Sequence, residues 1–360
     1  MTSRDRVLTA LNHEEPDRVP IFMGFTPEAA EKLVRHIKTL KPAPAGFTGK
    51  SSDLPFVMEH DLLVADHGIG TSYYARDDDE YTCEWGIGWR WMAFPQGRYT
   101  EIVRHPLEDE SQLNSYSCPN PLKPSRYDWM RKLVRSYGKT HAIVGGMGSI
   151  LFEPAWHLRG YETFLSDLLI NKDFACELLD KIFDYQLSTG IMLAKLGADI
   201  LWLGDDFGTQ NSLIVSPGIW REFFKERYAV LFSAYKEIKP DIKIAFHSDG
   251  NITSLLPEFI ETGVDIFQAV QPKSVDPAYL KRKFGNNLSF WGTVDIQEVM
   301  PFGTPEDVHH EVKIRIKTVG KNGGFILAPS HNIQPDTPLE NILAFYAAAR
   351  KWGQYPMSLE

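Results

Sequence analysis

Lys243-Ile-Ala-Phe-His-Ser-Asp-Gly-Asn251 decides how the chain is read. The apolar run through Ile244, Ala245 and Phe246 stops abruptly at His247, Asp249, Gly250 and Asn251. Parallel strands covered on both faces read as continuous apolar runs, and in a barrel their C-terminal ends open onto the active-site mouth. Residues two apart on a strand point the same way, so His247 and Asp249 share a face. A second strand, Gly324-Phe-Ile-Leu-Ala-Pro329, ends in Ser330 and His331. Two imidazoles and a carboxylate brought together at strand ends suit a bound metal or the handling of protons.

Outward from this stretch the chain alternates. Apolar strands are expected at Ala142–Met147, Ala198–Leu203, Ile242–Phe246, Val264–Val270, Leu288–Trp291 and Gly324–Leu327, with helical segments at Tyr161–Ile170, Asp173–Leu196, Pro217–Lys239, Ile252–Thr262 and Thr304–Val319. Repeated strand–helix units form parallel sheets. Before them, a helix starts at Thr2 or Ser3 with Val7, Leu8 and Leu11 on one face. Pro16 stops it, Arg18–Met23 reads as a first strand, and a second helix runs from Pro27 to about Leu40. At least seven strands in one barrel's length predict a (β/α)8 TIM barrel rather than an open doubly wound sheet. The first strand–helix turn carries no GxGxxG fingerprint, which weakens dinucleotide binding. Residues 1–360 read as a single domain. Within it, residues 50–120 are aromatic, acidic and turn-rich, and read as an insertion between early barrel elements.

The bulk numbers fit an enzyme of this kind. With 43% hydrophobic and 24% charged residues in 360, the chain can bury a large core and still present an ordinary soluble surface. A net charge of -9 argues against nucleic acid and anionic membrane as partners. Cys83, Cys118 and Cys176 lie far apart with no CxxC pair, unlike a disulfide scaffold or zinc finger. The opening Met-Thr-Ser-Arg-Asp-Arg has no apolar signal core, and no apolar run is long enough to span a bilayer, so a reducing cytoplasm is expected.

The remaining strand ends extend the polar mouth. Ser149 and Glu153 follow the Ala142 strand; Asp205, Asp206 and Gln210 follow Leu203; Gln268 and Gln271 sit on and after the Val264 strand. Asp295 follows Trp291-Gly-Thr-Val, and Ser330, His331, Asn332 and Gln334 follow Leu327. Duller roles compete at each place. His247 could bond a backbone carbonyl in the core, Asp249 could cap a turn before Gly250, and Glu153 could simply begin a helix. Asp205 and Asp206 are adjacent and point apart, so one faces the pocket and the other bonds to backbone or a loop. His247, Asp249 and His331 form a ligand set suited to catalytic zinc with a position left open.

Longer stretches carry a resemblance. Arg4-Asp-Arg-Val-Leu-Thr-Ala-Leu-Asn-His-Glu-Glu-Pro-Asp-Arg-Val-Pro20, His247-Ser-Asp-Gly-Asn251, Phe290-Trp-Gly-Thr-Val-Asp295, Pro301-Phe-Gly-Thr-Pro305 and Ile326-Leu-Ala-Pro-Ser-His-Asn-Ile-Gln-Pro-Asp336 are similar to segments of the uroporphyrinogen decarboxylase superfamily. The resemblance covers most of the chain and implies a (β/α)8 barrel, with one of two chemistries. One branch decarboxylates porphyrinogen acetates and meets its substrate's acids with an arginine-rich loop after the first strand. The matching stretch here, Phe22-Met-Gly-Phe-Thr-Pro-Glu-Ala-Ala30, contains no arginine. The other branch moves methyl groups to or from corrinoid proteins or thiols, and holds zinc with His-x-Cys and a late Cys. The positions of those two cysteines carry Asp249 and His331 in this chain, beside His247.

Zinc accepts nitrogen and oxygen ligands, and a harder set suits an oxygen donor better than a thiolate. The resemblance therefore implies a zinc-assisted methyltransferase of O-demethylation type, taking a methyl group from a small methoxylated or similar substrate and giving it to a corrinoid carried by a partner protein. In that expectation His247, Asp249 and His331 hold the metal, and Asp205 and His331 are the catalytic groups. Glu153, Asp206, Gln210, Gln268, Trp85 and Trp89 bind substrate, the tryptophans by stacking on an aromatic ring. The alternatives are a uroporphyrinogen decarboxylase-type carboxy-lyase and a non-catalytic binding barrel. A homodimer is the superfamily's analogy.

Overall fold

The computed structural model describes residues 1–95 and 97–357. Strands among them are β1 Leu62–Asp66, β2 Glu80–Thr82, β3 Gly88–Phe94, β4 Gly97–Arg104, β5 Ala142–Ser149, β6 Ile200–Gly204, β7 Lys243–His247, β8 Ile266–Val270, β9 Ser289–Val294 and β10 Phe325–Pro329. Seven of these form one parallel sheet in the order β1-β5-β6-β7-β8-β9-β10. Every residue of β8, β9 and β10 is buried, as expected for strands covered on both faces. From β5 onward helices separate successive strands, at Tyr161–Ile170, Lys172–Leu196, Leu256–Thr262 and Pro305–Val319 among others. The expected helix over 217–239 forms as Pro217–Trp220 and Glu226–Ile238 with a π turn, Arg221–Lys225, between them.

The sheet curls, and the extended segment through Ile21 spans its two edges. Ile21 bridges Leu327 of β10 in parallel, and its carbonyl accepts from the Asp61 amide just before β1. Inside the curl a separate apolar cluster takes one or more residues from each of the seven strands: Leu62, Val144, Ile200, Ala245, Ile266, Trp291 and Ile326, with Phe22, Val64 and Trp202 against it. Val7 and Leu11 of the N-terminal helix Ser3–Leu11 join this cluster from below and plug the floor. Ionic contacts ring the same floor. Asp61 is fully buried and accepts from Arg6 Nη1 (2.6 Å), Arg18 Nη1 (2.7 Å) and the Ile21 amide (2.8 Å). Arg4 reaches Asp199 at the entry to β6.

The stretch 50–120 divides differently from the sequence expectation. Leu62–Asp66 lies inside it and is a strand of the main sheet, β1, paired with β5 along five residues. Its run Leu-Leu-Val-Ala is too short to stand out among turn signals. Arg18–Met23, read from sequence as the first strand, makes isolated bridges instead. The antiparallel sheet β2-β3-β4 is what remains of a distinct unit. It packs on the mouth side: His105 Nδ1 contacts the His157 carbonyl of the helix Phe152–Arg159, and Gly97 abuts Pro335 in the loop after β10.

Candidate metal centre

β7 delivers His247 as its last residue, and the turn after it is laced to the loop after β6. The Asp205 amide donates to the His247 carbonyl, the Phe207 amide to Ser248 Oγ, and the Asn251 amide to the Thr209 carbonyl. Gly250 has φ +77° and lies directly against the backbone of Gly208, so a Cβ there would collide with main chain. Asp249 is fixed by the same lacing, because its amide donates to Asp206 Oδ1 (2.8 Å).

These constraints bring the three predicted ligands together. One ligand atom from each of His247, Asp249 and His331 lies within 4.8 Å of the others. His247 Nε2 is 3.8 Å from Asp249 Oδ1 and 3.5 Å from Asp206 Oδ1. Zinc legs of 2.0–2.1 Å in a tetrahedron imply about 3.3 Å between ligand atoms. The set is therefore more open than a loaded zinc site. Asp249 Oδ1 is buried and has no hydrogen-bond partner. A buried carboxylate oxygen without a donor is costly, and a cation beside His247 and His331 would satisfy it. The residues present therefore fit a divalent metal.

The tautomer also fits. His247 Nδ1 hydrogen-bonds Gln268 Oε1 of β8, and the same oxygen accepts from Trp202 Nε1 at 3.0 Å. A Gln oxygen can only accept, so Nδ1 carries a proton, and Nε2 faces Asp206 and Asp249, where a proton or a metal cation is favoured. Burial disfavours the imidazolium of His247, but Asp206, Asp249 and the Gln268 bond together hold its pKa above the usual histidine value. Burial wins at His331 and keeps it below that value, despite the pull of Asp249.

A cavity of about 230 Å³ opens beside the three ligands. Asp66 at the end of β1, Glu153, Trp202 and Asp206 line it together with His247 and His331. Burial, then the charges of Asp206 and Asp205, push the Glu153 carboxyl well above the usual range; Ser149 Oγ donates to it at 2.7 Å. Asp66 ends β1 and is exposed at the rim of the cavity.

Other predicted site residues lie elsewhere. Asp205 is fully buried, and its oxygens accept from the amides of Leu151 (2.9 Å) and Glu153 (2.9 Å) and from the Tyr228 hydroxyl (2.6 Å). Burial raises its pKa to about 6, against the pull of these donors. Those bonds leave it fastening the turn into the helix Phe152–Arg159, while its neighbour Asp206 faces the cavity. Gln268 reaches His247 rather than the cavity centre. Gln210 is exposed on the loop after β6. Trp85 and Trp89 are each 1% exposed: Trp85 packs on Tyr185, and Trp89 on Tyr73 and His157. The cavity's aromatic wall is Trp202, whose ring lies 5.0 Å from Trp291. Asp66 and Trp202 were missed as site residues. The signal for Trp202 was its place inside the expected Ala198–Leu203 strand; Asp66 had none, because its strand was not foreseen.

The comparisons with known proteins agree with this architecture. The family model described as uroporphyrinogen decarboxylase (URO-D) matches residues 87–352. A methylated-thiol–coenzyme M methyltransferase of Methanosarcina mazei is 27% identical over 56% of this chain and 51% of its own length. A methylcobamide:CoM methyltransferase of Methanosarcina barkeri is 25% identical over 60% of this chain and 60% of its own. The chain thus spans about half of the first relative and three-fifths of the second. Among solved structures, a methyltransferase from Methanosarcina mazei superposes over 98% of this chain and 99% of its own with a TM-score of 0.74 at 20% identity, a likeness of fold.

Proposed function

This chain belongs to the uroporphyrinogen decarboxylase family, and from that premise we propose that it is a metal-assisted methyltransferase moving a methyl group from a small methoxylated substrate to a corrinoid borne by a partner protein. The observation that carries the reading is the convergence of His247, Asp249 and His331 within 4.8 Å, with Asp249 Oδ1 buried and unpartnered. Methyltransferase relatives, one of them acting on a methylcobamide, support the reaction class and the corrinoid partner. On this reading the segment through Ile21 is the eighth stave of a (β/α)8 barrel. No helix among the described residues is long and apolar enough to cross a membrane, and we place the protein in the cytoplasm.

A zinc ion held by His247 Nε2, Asp249 and His331 would polarise the oxygen of the departing methoxyl group. The chain's own residues supply the rest. Gln268 fixes the His247 tautomer, and Trp202 offers an apolar face to the substrate. The Glu153 carboxyl, kept neutral by burial, holds a proton at the cavity wall where an oxyanion leaving group would need one. Decarboxylation of a polyacid is disfavoured, because no arginine or lysine is among the described residues lining the cavity.

Protein expressed in zinc-replete medium should contain about one zinc per chain, and the His247→Ala variant should lose it. With the metal present, methyl transfer from 2-methoxyphenol to reduced cobalamin should be visible in the corrinoid spectrum. A zinc-free protein that still transfers methyl removes the metal from this reading. Turnover of a porphyrinogen replaces it with decarboxylation.

A further inference from the structure

The cavity beside the ligands is unusual in its charge. Three carboxyl groups line it from three directions: Asp66 from the end of β1, Glu153 from the helix after β5 and Asp206 from the loop after β6. Asp249 stands just beyond, within reach of His247. A sphere of about 230 Å³ has a radius of roughly 3.8 Å, so any charge placed inside lies within a Debye length of every one of these groups. Salt screens it only weakly there. Among the described lining residues there is no lysine or arginine to meet an anion.

A divalent ion does not reverse this balance. Asp249 offsets one of its two charges, and Asp66 and Asp206 face the remainder. Glu153 adds a third carboxyl, whose pKa burial and its acidic neighbours push up. A second, independent feature points to what fills the space. Trp202 lines the cavity, and its ring is held by Trp291 and by the bond from Nε1 to Gln268. A fixed indole face beside carboxylates suits a flat or cationic ligand.

We propose that the cavity selects a methyl donor bearing no anionic group, uncharged or cationic, and rejects donors that carry a carboxylate, sulfonate or phosphate. The inference rests on the methyl-transfer reading of the same site and sharpens its substrate class. Asp66 and Asp206 repel an anion and accept hydrogen bonds from hydroxyl or ammonium groups of the donor. Glu153, protonated, donates one.

The test uses the zinc-replete protein and three methoxylated rings of similar size: 2-methoxyphenol, 3-methoxybenzylammonium and 4-hydroxy-3-methoxybenzoate. Calorimetric titration at pH 7 should show the neutral and cationic rings binding at least tenfold more tightly than the benzoate. Asp66→Asn and Asp206→Asn, each nearly isosteric, should shrink that gap severalfold by weakening the rejection of the benzoate. Equal or tighter binding of the benzoate overturns the proposal, as does binding of none of the three. Methyl transfer is followed separately with reduced cobalamin. The predicted binding order without transfer upholds this inference and removes the methyl-transfer reading; transfer with the order reversed does the opposite.

Discussion

His247 has one nitrogen to give. Its Nδ1 is committed to Gln268, and Gln268 Oε1 is itself held by Trp202 Nε1. Such outer partners set the tautomer and aim of a metal-ligating imidazole, and losing one typically costs 10–100-fold in metal affinity. Gln268→Ala should therefore weaken zinc binding by about that factor while the fold persists, as read by competition with a chromophoric chelator. Unchanged affinity would reduce Gln268 to packing. The candidate ligands were legible in the sequence, because His247 and His331 follow apolar runs and Asp249 stands two residues past His247. Gln268 was legible only as a polar residue inside such a run; its bond runs across strands, from β8 to β7, and no spacing along the chain encodes that. Asp205 and Asp206 show the same limit. Their adjacency says that one faces in, and only the positions of Tyr228 and the Leu151 amide decide which.

At the scale of elements, Asp205 joins β6, the turn after β5 and the helix carrying Tyr228. Removing its carboxylate would leave the amides of Ile150, Leu151 and Glu153 and the Tyr228 hydroxyl buried without an acceptor. Unsatisfied buried donors cost about 1–3 kcal/mol each, with partial relief from relaxation. Asp205→Ala should destabilise the protein by roughly 3–5 kcal/mol in urea unfolding. In the fraction that remains folded, zinc affinity should change much less than activity, since the turn it fastens carries Glu153 and not the ligands. Equal loss of both would mean that Asp205 supports the metal centre directly. Elements from β5 onward were legible because parallel strands are buried on both faces and read as short apolar blocks between helical periods. β1 was not. Its five residues follow a loop and a single helical turn, Leu54–Val57, where neither period is sustained. The insertion is accordingly narrower than residues 50–120, and Trp85 and Trp89, expected at a pocket, are buried in the main hydrophobic cluster against Tyr185 and against Tyr73 and His157.

For the whole molecule the question is how a sheet of seven regular strands is kept curled. β1 and β10 are its edges, and among the described residues the segment around Ile21 lies between them, holding on by an isolated bridge to β10 and a backbone bond from Asp61. A few backbone bonds are a weak seam, so side chains must reinforce it. Asp61 does so from a single point. It sits one residue before β1 and binds Arg6 of the floor helix, and it also binds both Arg18 and the Ile21 amide of the seam segment. It therefore ties the floor plug, the seam and the first strand to one buried carboxylate. Replacing a buried ion pair by apolar groups can be harmless, whereas removing one partner strands the others and costs about 3–5 kcal/mol. Asp61→Ala strands the Arg18 guanidinium and leaves Arg6 to Asp17 alone, at the end of the sheet opposite the candidate ligands. The expected outcome is a loss of roughly 3–5 kcal/mol in unfolding free energy, with faster amide exchange at Ile21 and Leu327 and unchanged zinc affinity in the folded protein. Exchange that speeds up equally around His247 would show that floor and mouth yield together. Local opening at the seam alone would show that the floor closes the curled sheet without support from the mouth.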